Sequence, residues 1–347
     1  MPSSTLQLTR EIERLALMLR KPIRLMEVCG THTEAISRSG LRAVLPTKIE
    51  LVTGPGCPVC VIPQSDIDAV VGLALSGIPI ACYGDVLRVP GTVMSLEQAK
   101  AGGAKVKAVY SVEEALDWKR TEPEVVFFGI GFETTAPMTA AAIKHGLTVY
   151  SAHKYFPPAM LALSRDKQIK IDGFINPGHV SAIIGLKPYS VIKKPQVIAG
   201  FEPADILLAI IMLLRQIVQG ESRVENEYRR LVKKNGNRQA QKLIAEVFKP
   251  IDSEWRGLGQ IPKSGMEIKK RYTKWDAKAV YKKVIRNYLV NAKRKTQNAK
   301  CRCGDVIKGL ISPEDCKLFG RACTPEKPIG ACMVSREGAC RIKYEYK

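Results

Sequence analysis

Acidic and aromatic residues are scarce in this sequence. Its 347 residues include 33 Asp and Glu against 54 Lys and Arg, and aromatic residues make up only 6%. Proteins that bind single-stranded nucleic acid interleave aromatic stacking platforms with basic residues, and no such pattern is present. The net charge of +21 fits a solvated basic surface, or a contact surface for nucleic acid or for an acidic protein partner. Because the aromatic residues are few and are not interleaved with the basic ones, we expect no nucleic-acid partner.

Long apolar runs are also missing. No stretch reaches the roughly 18 uncharged apolar residues that a membrane span needs. The first twenty residues carry Arg10, Glu11, Glu13 and Arg14 among apolar ones, which predicts an amphipathic helix and not a signal peptide. We expect a cytoplasmic protein without a membrane segment. Hydrophobic residues make up 46%, enough to bury a sizeable core.

Common nucleotide-binding and hydrolase motifs are absent. There is no P-loop, and no Gly-x-Gly-x-x-Gly follows a strand, since Gly129-Ile-Gly131 lacks the third glycine. A Gly-x-Ser-x-Gly elbow is missing as well. The chemistry must therefore be sought in other residue types.

Short apolar runs alternate with helical patterns through the first 220 residues, which predicts an α/β fold of parallel sheets covered by helices. Ser65 with Asp68 is a plausible cap for one of the helices. The predicted strands are Arg24–Val28, Ile49–Thr53, Ile78–Cys82, Val106–Tyr110, Val125–Gly129, Leu147–Tyr150, Gly173–Ile175 and Val197–Ala199. The predicted helices include Ser65–Ser76, Leu96–Ala101, Val112–Lys119, Ala136–His145 and Pro203–Gln219.

A weak internal repeat predicts two similar α/β domains. Met26–Thr33 is echoed by Phe128–Thr135, and Ile49–Cys57 by Ile171–His179. We expect a first domain over residues 1–121 and a second over 122–221, facing each other across a cleft lined by strand ends. A helical, cysteine-rich module is expected over residues 222–347.

The C-terminal third has a different residue pattern from the first 220 residues. An irregular stretch is expected at Pro250–Ser264, followed by a basic helix over about Ala277–Lys295 and then the cysteine module. The segment Lys263–Arg302 holds 14 Lys and Arg against two acids. We expect this basic segment to pack against the body or to face an acidic partner.

Ten cysteines are present, and six of them lie between residues 301 and 340. Without a secretion signal, clustered cysteines favour metal or redox chemistry. The terminal six fit the paired knuckles of a zinc site badly, so an iron–sulfur cluster is favoured, with zinc or plain disulfides as alternatives. A cubane cluster needs four thiolates, which leaves two cysteines for redox work. The terminal cysteines are Cys301, Cys303, Cys316, Cys323, Cys332 and Cys340.

Two further motifs follow predicted strands. Cys57 and Cys60, in Gly-Pro-Gly-Cys-Pro-Val-Cys, can close a disulfide, grip a metal or simply pack in a turn. Cys29-Gly-Thr-His32 can share a metal or act as nucleophile and base, or be a buried pair. His179 takes in the repeat the place of Cys57 and is a weaker candidate. Cys82 lies in an apolar run and is expected in the core.

Together these blocks resemble the HypD family of hydrogenase maturation factors over essentially the whole chain. The matching residues are Cys29-Gly-Thr-His32-Thr, Gly54-Pro-Gly-Cys57-Pro-Val-Cys60, Glu254-Trp-Arg-Gly-Leu-Gly-Gln-Ile-Pro262, Cys316-Lys-Leu-Phe-Gly320 through Cys323, and Cys332-Met-Val-Ser-Arg-Glu-Gly-Ala-Cys340.

The resemblance implies a scaffold with redox chemistry. Such a protein holds Fe(II) while two cyanides and one carbon monoxide are attached, in complex with the chaperone HypC. HypE delivers the cyanide, and the finished group passes to the large subunit of a [NiFe] hydrogenase. It also implies two α/β domains and a module with a [4Fe–4S] cluster. The alternative is a cluster-dependent disulfide reductase similar to ferredoxin–thioredoxin reductase.

The resemblance and the position of these residues at strand ends beside the expected cleft together suggest their roles. Cys29 is expected to hold the nascent iron together with a chaperone cysteine, with His32 and His179 orienting or ligating it. Cys57 and Cys60 are expected to form a reversible disulfide.

The likeness to ferredoxin–thioredoxin reductase assigns the terminal cysteines. It gives Cys301, Cys316, Cys323 and Cys340 to the cluster and pairs Cys303 with Cys332; the reverse roles of Cys301 and Cys303 stay open. In an extended Cys-x-Cys, both sulfurs would point to one side.

Overall fold

The protein is described from a computed structural model that covers residues 5–293 and 301–346. The strands are β1 (Ile23–Glu27), β2 (Ile49–Thr53), β3 (Ile80–Tyr83), β4 (Val106–Val109), β5 (Val126–Gly129), β6 (Thr148–Ser151), β7 (Gly173–Pro177), β8 (Gln196–Ala199), β9 (Val224–Asn226), β10 (Phe248–Trp255) and β11 (Gly259–Ile268).

The helices alternate with these strands. They are α1 (Thr5–Leu17), α2 (Gly30–Arg38), α3 (Pro58–Val61), α4 (Gln64–Leu75), α5 (Gly84–Leu87), α6 (Leu96–Ala101), α7 (Val112–Trp118), α8 (Ala136–Lys144), α9 (Phe156–Arg165), α10 (Gly178–Ile184), α11 (Pro203–Gln219), α12 (Arg238–Val247), α13 (Ala277–Val280), α14 (Lys282–Lys293), α15 (Cys303–Ile307), α16 (Ala331–Val334) and α17 (Ala339–Glu345). Short 3₁₀ turns cover Leu41–Val44, Lys187–Val191, Lys270–Trp275 and Pro313–Asp315.

The first sheet has five parallel strands in the order β2-β1-β7-β8-β9. Leu25 of β1 lies opposite Leu51 of β2 and Gly173 of β7. All residues of β7 and β8 are buried, as expected for parallel strands covered on both faces. Helices α1 and α11 pack on each other, and their buried leucines and isoleucines form one core with this sheet.

The second sheet has four parallel strands in the order β4-β3-β5-β6. All four strands come from residues 80–151, so this sheet is inserted in the chain between β2 and β7 of the first sheet. The boundary expected between residues 121 and 122 falls between β4 and β5 of this one sheet.

The prediction of parallel sheets flanked by helices is confirmed. All eight expected strands and the five expected helices occur, with ends within two residues of those predicted. The expected helix cap is wrong, because α4 begins at Gln64 after Pro63 and has no side-chain cap. Asp68 instead accepts hydrogen bonds from the backbone N–H and the hydroxyl of Thr92, both at 2.6 Å.

The stretch Pro250–Ser264 is not irregular, and the expectation there was wrong. It forms most of the antiparallel hairpin β10–β11, with a register shift between Ile251 and Ser253. Trp255 is fully buried, donates its indole N–H to Ser264 Oγ at 2.8 Å, and stacks on Phe132 of the second-sheet unit with ring centroids 5.8 Å apart. This stacking attaches the hairpin to the unit of the second sheet.

The described part of the basic segment packs against the body. Helix α14 contacts α4, where the ring of Tyr288 fills the space beside Gly72. Lys278 lies 3.8 Å from a carboxylate oxygen of Asp66 and over the ring of Tyr150. Arg294 and Lys295, expected at the end of the basic helix, lie outside the described residues.

One large core joins both sheets to the cysteine module. It includes Met26 of the first sheet, Phe128 of the second, Trp255 of the hairpin, and Cys303 and Cys332 of the module. No helix within the described ranges is long and apolar enough to cross a bilayer.

Candidate functional site

Cys29 and His179 lie at the point where the strand order of the first sheet reverses. From β1 the chain goes to β2 on one side, whereas β7 continues to β8 and β9 on the other. Cys29 follows β1 and precedes α2, and His179 follows β7 at the start of α10. In open parallel sheets the crevice for ligands opens at the carboxyl ends of two such strands.

The Cys29 thiol is held in a closed environment. The side chain of Glu27 accepts the backbone N–H of Cys29 at 3.2 Å and the hydroxyl of Thr33 at 2.7 Å. Cys29 is only 9% exposed, and burial, followed by the charge of Glu337, raises the pKa of its thiol to about 12. The thiol is therefore protonated at neutral pH, and a metal cation would be needed to favour the thiolate.

His32 is fixed by the end of the next strand. Its Nε2 lies 2.8 Å from the carbonyl oxygen of Gly200, so Nε2 carries the proton, while the buried Nδ1 has no hydrogen-bond partner. Burial lowers the pKa of His32 to about 4, which keeps the ring neutral. The ring of Phe201 lies between the two histidines, tilted against His32 at a centroid distance of 4.8 Å and stacked on His179 at 4.2 Å. His179 itself is exposed.

The loop that carries Cys57 and Cys60 lies directly on Cys29. A Cβ added to Gly56 would stand 2.3 Å from the backbone of Cys29, so only glycine permits this approach. Helix α3 begins right after Cys57, whose Sγ accepts the N–H of Cys60 at 3.2 Å. The cysteine motif thus opens into a short helix before Pro63, which the motif alone did not predict. Both cysteines are buried free thiols.

The tip of the β10–β11 hairpin holds α3 in place. Arg256 donates its backbone N–H to Val61 and its Nε to the carbonyl of Ile62 at 2.7 Å. Gly257 has φ +80°, and a Cβ there would lie 2.4 Å from Gly304 of the module. The family-like block at residues 254–262 therefore joins the Cys57–Cys60 loop to the terminal cysteines.

The six terminal cysteines line one small cavity together with Leu318, Phe319, Gly330 and Met333. The Cys332 thiol interacts with those of Cys303, Cys340 and Cys60. The thiols of Cys301 and Cys303 also interact, and Gly330 leaves room for the Cys301 sulfur. A line of neighbouring thiols thus runs from the Cys57–Cys60 loop to Cys301.

An extended Cys301-x-Cys303 segment was expected, and the structure does not have one. Arg302 has φ −104° and ψ 22°, and Cys303 is the first residue of α15. The thiols of Cys301 and Cys303 nevertheless interact.

The donor set of the cavity fits an iron–sulfur cluster. It offers more than the four soft thiols that a cubane needs, and the N–H of Ile329 donates to Cys323 Sγ at 3.3 Å. The neighbouring thiols of Cys301 and Cys340 add to the burial that raises the pKa of Cys323. Across residues 5–293 and 301–346, no three His, Cys, Asp or Glu side chains are arranged to hold a single metal ion.

Glu337 is a site residue that the sequence patterns did not single out. Its side chain packs over Gly30, the residue next to Cys29, and hydrogen-bonds to the side chain of Thr31. Burial raises the pKa of Glu337, and the carboxylate of Asp85 raises it further. The only signal in the sequence was its position between Cys332 and Cys340 in the family-like block.

Comparison with known proteins shows the family of the chain. The family model HypD, described as "Hydrogenase formation hypA family", matches residues 4–347. The chain belongs to the HypD family. Its relatives include hydrogenase maturation factor HypD2 of Bradyrhizobium diazoefficiens, 45% identical, with 94% of this chain and 90% of that protein aligned. HypD of Rhodobacter capsulatus is 44% identical over 99% and 96% of the two chains, and HypD of Cupriavidus necator 43% over 92% and 89%.

Membership in the HypD family gives the chain a role in hydrogenase maturation. Such a role implies interaction with other maturation proteins and with hydrogenase proteins. It also makes metal handling the chemistry to look for among the cysteines described above.

Proposed function

We propose that this chain is the scaffold on which the Fe(CN)₂CO group of [NiFe] hydrogenases is assembled in the cytoplasm. The observation that carries the proposal is the position of Cys29. Its thiol lies at the strand-order reversal of the first sheet, enclosed by the Gly56 loop and by Glu337 of the cysteine module. Low-spin Fe(II) with strong-field ligands suits a soft thiolate in a dry site.

Each partner has a role in this proposal. Iron is the cargo, held by the Cys29 thiolate and by a cysteine of a HypC-type chaperone. A HypE-type protein delivers cyanide, and the completed group passes to the hydrogenase large subunit. His32 and His179 orient the cargo. The His32 bond to Gly200 reserves Nε2, so only Nδ1 of His32 is available as a ligand.

The terminal cavity would hold a [4Fe–4S] cluster through Cys301, Cys316, Cys323 and Cys340. When bound, such a cluster supplies one-electron transfer. The contact between the Cys303 and Cys332 thiols supports their assignment as the neighbouring redox pair. Cys57 and Cys60 form a second pair, reached through the contact between Cys60 and Cys332.

The continuity of these thiols also favours a second candidate, a cluster-dependent disulfide reductase. That activity would use the same cluster together with the neighbouring thiols of Cys57, Cys60, Cys332 and Cys303. It has no need for the Cys29-to-His32 block, which is nevertheless packed closely against both the Gly56 loop and the module. The scaffold role accounts for all these features.

Removal of the Cys29 thiol tests the scaffold role. The full-length protein, purified anaerobically with its chaperone, should show infrared bands of metal-bound cyanide and carbon monoxide. In Cys29→Ala these bands should be lost, because the cargo has no anchor on this chain. Cys82→Ala is the matched control, since Cys82 is a fully buried thiol of the core strand β3 and its variant should keep the bands.

Retention of the cyanide bands by Cys29→Ala would refute the anchor. Absence of the bands in the unaltered complex, together with turnover of a dithiol substrate, would support the reductase instead.

A further inference from the structure

The second sheet has its own reversal of strand order, and a pocket opens beside it. From β3 the chain goes to β4 on one side, whereas β5 continues to β6 on the other. Glu133 follows β5, and Tyr155 follows β6. Both line a pocket of about 680 Å³ that also involves α9, α10, α12 and the β10–β11 hairpin. We call it the Glu133 pocket; none of the ten cysteines lines it.

The walls of the Glu133 pocket are mostly apolar, and the backbone of several wall residues has a fixed φ. Five of its 14 lining residues are prolines, which have fixed φ and no N–H donor. Leu161, Ile184 and Ile244 add aliphatic surface. Pockets of roughly 300–1,000 Å³ with mostly apolar walls and a few polar groups are typical of small-molecule sites, and a preformed wall lowers the entropic cost of binding.

The polar group in this wall is incompletely satisfied. Glu133 is only 2% exposed. Its Oε1 accepts the N–H of Phe156, the first residue of α9, at 3.0 Å, but its Oε2 has no hydrogen-bond partner. Burial raises the pKa of Glu133 to about 7. A buried oxygen without a donor is costly, so a ligand that brings a donor gains the missing bond.

Lys263 stands at the same pocket and is exposed. Among the residues that the structure describes, it is the only one other than glycine with positive φ, at 53°. Its ammonium group disfavours a cationic ligand near the mouth. A neutral donor is therefore favoured over an amine.

From these observations we propose that the Glu133 pocket binds a small, neutral, mostly apolar molecule that donates one hydrogen bond to Glu133. This site is separate from the cysteine chemistry, and its occupation does not depend on the scaffold role.

The test compares two probes that differ in one donor. 2-Naphthol and 2-methoxynaphthalene present the same rings, but only the first donates a hydrogen bond. Binding to the full-length protein is measured at about pH 8, where Glu133 with its pKa of about 7 is mostly ionised and can only accept. Saturation-transfer NMR and titration of naphthalene fluorescence report the binding. We expect 2-naphthol to bind at least tenfold more tightly.

Glu133→Gln should abolish this preference. The glutamine oxygen keeps the bond from Phe156, which places an NH₂ donor where Oε2 was. An NH₂ group accepts no bond from naphthol, and it can donate one to the oxygen of either probe. Leu161→Trp should weaken both probes by filling the pocket. Val44→Trp is its control, because it adds the same ring at an exposed position outside the pocket.

Equal binding of the two probes to the unaltered protein would overturn the proposal. So would undiminished binding to Leu161→Trp, which would place the probes elsewhere. If Glu133→Gln fails to fold, Leu161→Trp still decides whether the pocket is occupied, and the comparison of the two probes still decides whether a donor matters.

Discussion

Burial alone does not distinguish the site cysteine Cys29 from the core cysteine Cys82. Nine of the ten are buried and all ten are free thiols in the structure. Burial raises the pKa of both Cys29 and Cys82 to about 12, yet only Cys29 has Glu337 and the Gly56 loop beside it. What separates a site thiol from a core thiol here is its neighbours, which come from distant parts of the chain.

Serine variants should distinguish the terminal cysteines that hold the cluster from those that form the redox pair. Cys303→Ser and Cys332→Ser should keep the brown chromophore and the paramagnetic resonance signal of a cluster, because these thiols contact each other and are not assigned to iron. They should nevertheless lose maturation activity. Cys301→Ser and Cys316→Ser should weaken or lose the cluster. Absorption and paramagnetic resonance spectra of anaerobic protein make the measurement; a bleached Cys303→Ser beside a coloured Cys301→Ser would reverse the assignment.

His153 should make the fold sensitive to acid. The ring is buried between Ser151 and Thr139, and burial, helped by Lys278 and Lys154, lowers its pKa from 6.5 to about 3. Between about pH 6.5 and pH 3, the unfolded chain therefore binds a proton at His153 that the folded chain does not bind. The free energy of unfolding should fall as the pH drops from 6.5 towards 3, by about 1.4 kcal/mol per pH unit from this group.

His153→Leu removes that contribution, and its stability should decline less steeply over this pH range. Ser151 and Thr139 each keep a second hydrogen-bond partner in the variant. Urea unfolding of both proteins at several pH values gives the slope of the free energy of unfolding against pH. The other buried histidine, His32, contributes to the slope of both proteins. Coinciding slopes would show that His153 titrates normally.

At the scale of the elements, the tightest constraint is the approach of the Gly56 loop to Cys29. Gly56→Ala places a methyl group 2.3 Å from backbone atoms, which cannot move as a flexible side chain would. We expect a loss of about 1–3 kcal/mol in the free energy of unfolding, as for overpacked interiors. Gly84→Ala is the control, because nothing lies within 4 Å of its added methyl group. Denaturant unfolding should show that Gly56→Ala is less stable than Gly84→Ala. Equal free energies of unfolding would mean that the loop moves to accommodate the methyl group at little cost.

Sequence patterns identified the strands and helices well but not their partners. Each buried parallel strand is a short apolar run that can be read locally, as β5 and β8 show. The pairing of β1 with β7 joins residues about 150 apart, and no local pattern reports it. The β10–β11 hairpin was missed because Pro250, Gly257 and Pro262 usually mark loops, although edge strands tolerate them.

The candidate site was predictable in its residue types and not in its geometry. Spacing and resemblance single out Cys29, Cys57 and the terminal cysteines from the sequence alone. The contact of Cys60 with Cys332 and the position of Glu337 arise only when the module folds onto the body. The internal repeat pointed to strand ends correctly, but could not tell that one sheet is inserted within the other.

At the scale of the whole molecule, three distant segments meet at Cys60. The loop after β2 supplies Cys57 and Cys60, the hairpin supplies Arg256 against α3, and the module supplies Cys332. The thiols of Cys57 and Cys60 interact with each other, and Cys57 Sγ also accepts the N–H of Cys60 at 3.2 Å. We expect Cys57 and Cys60 to form a reversible disulfide that holds no permanent metal.

Differential thiol labelling with mass spectrometry measures this expectation. Mild oxidation should protect Cys57 and Cys60 together, and mild reduction should restore both to the same extent, because one bond joins them. Cys82, buried in the core of the second sheet, is the internal control and should not change. Protection of Cys60 together with Cys332 instead would move the exchange to the contact between body and module, and a zinc ion lost on Cys57→Ser would refute a redox role for the pair.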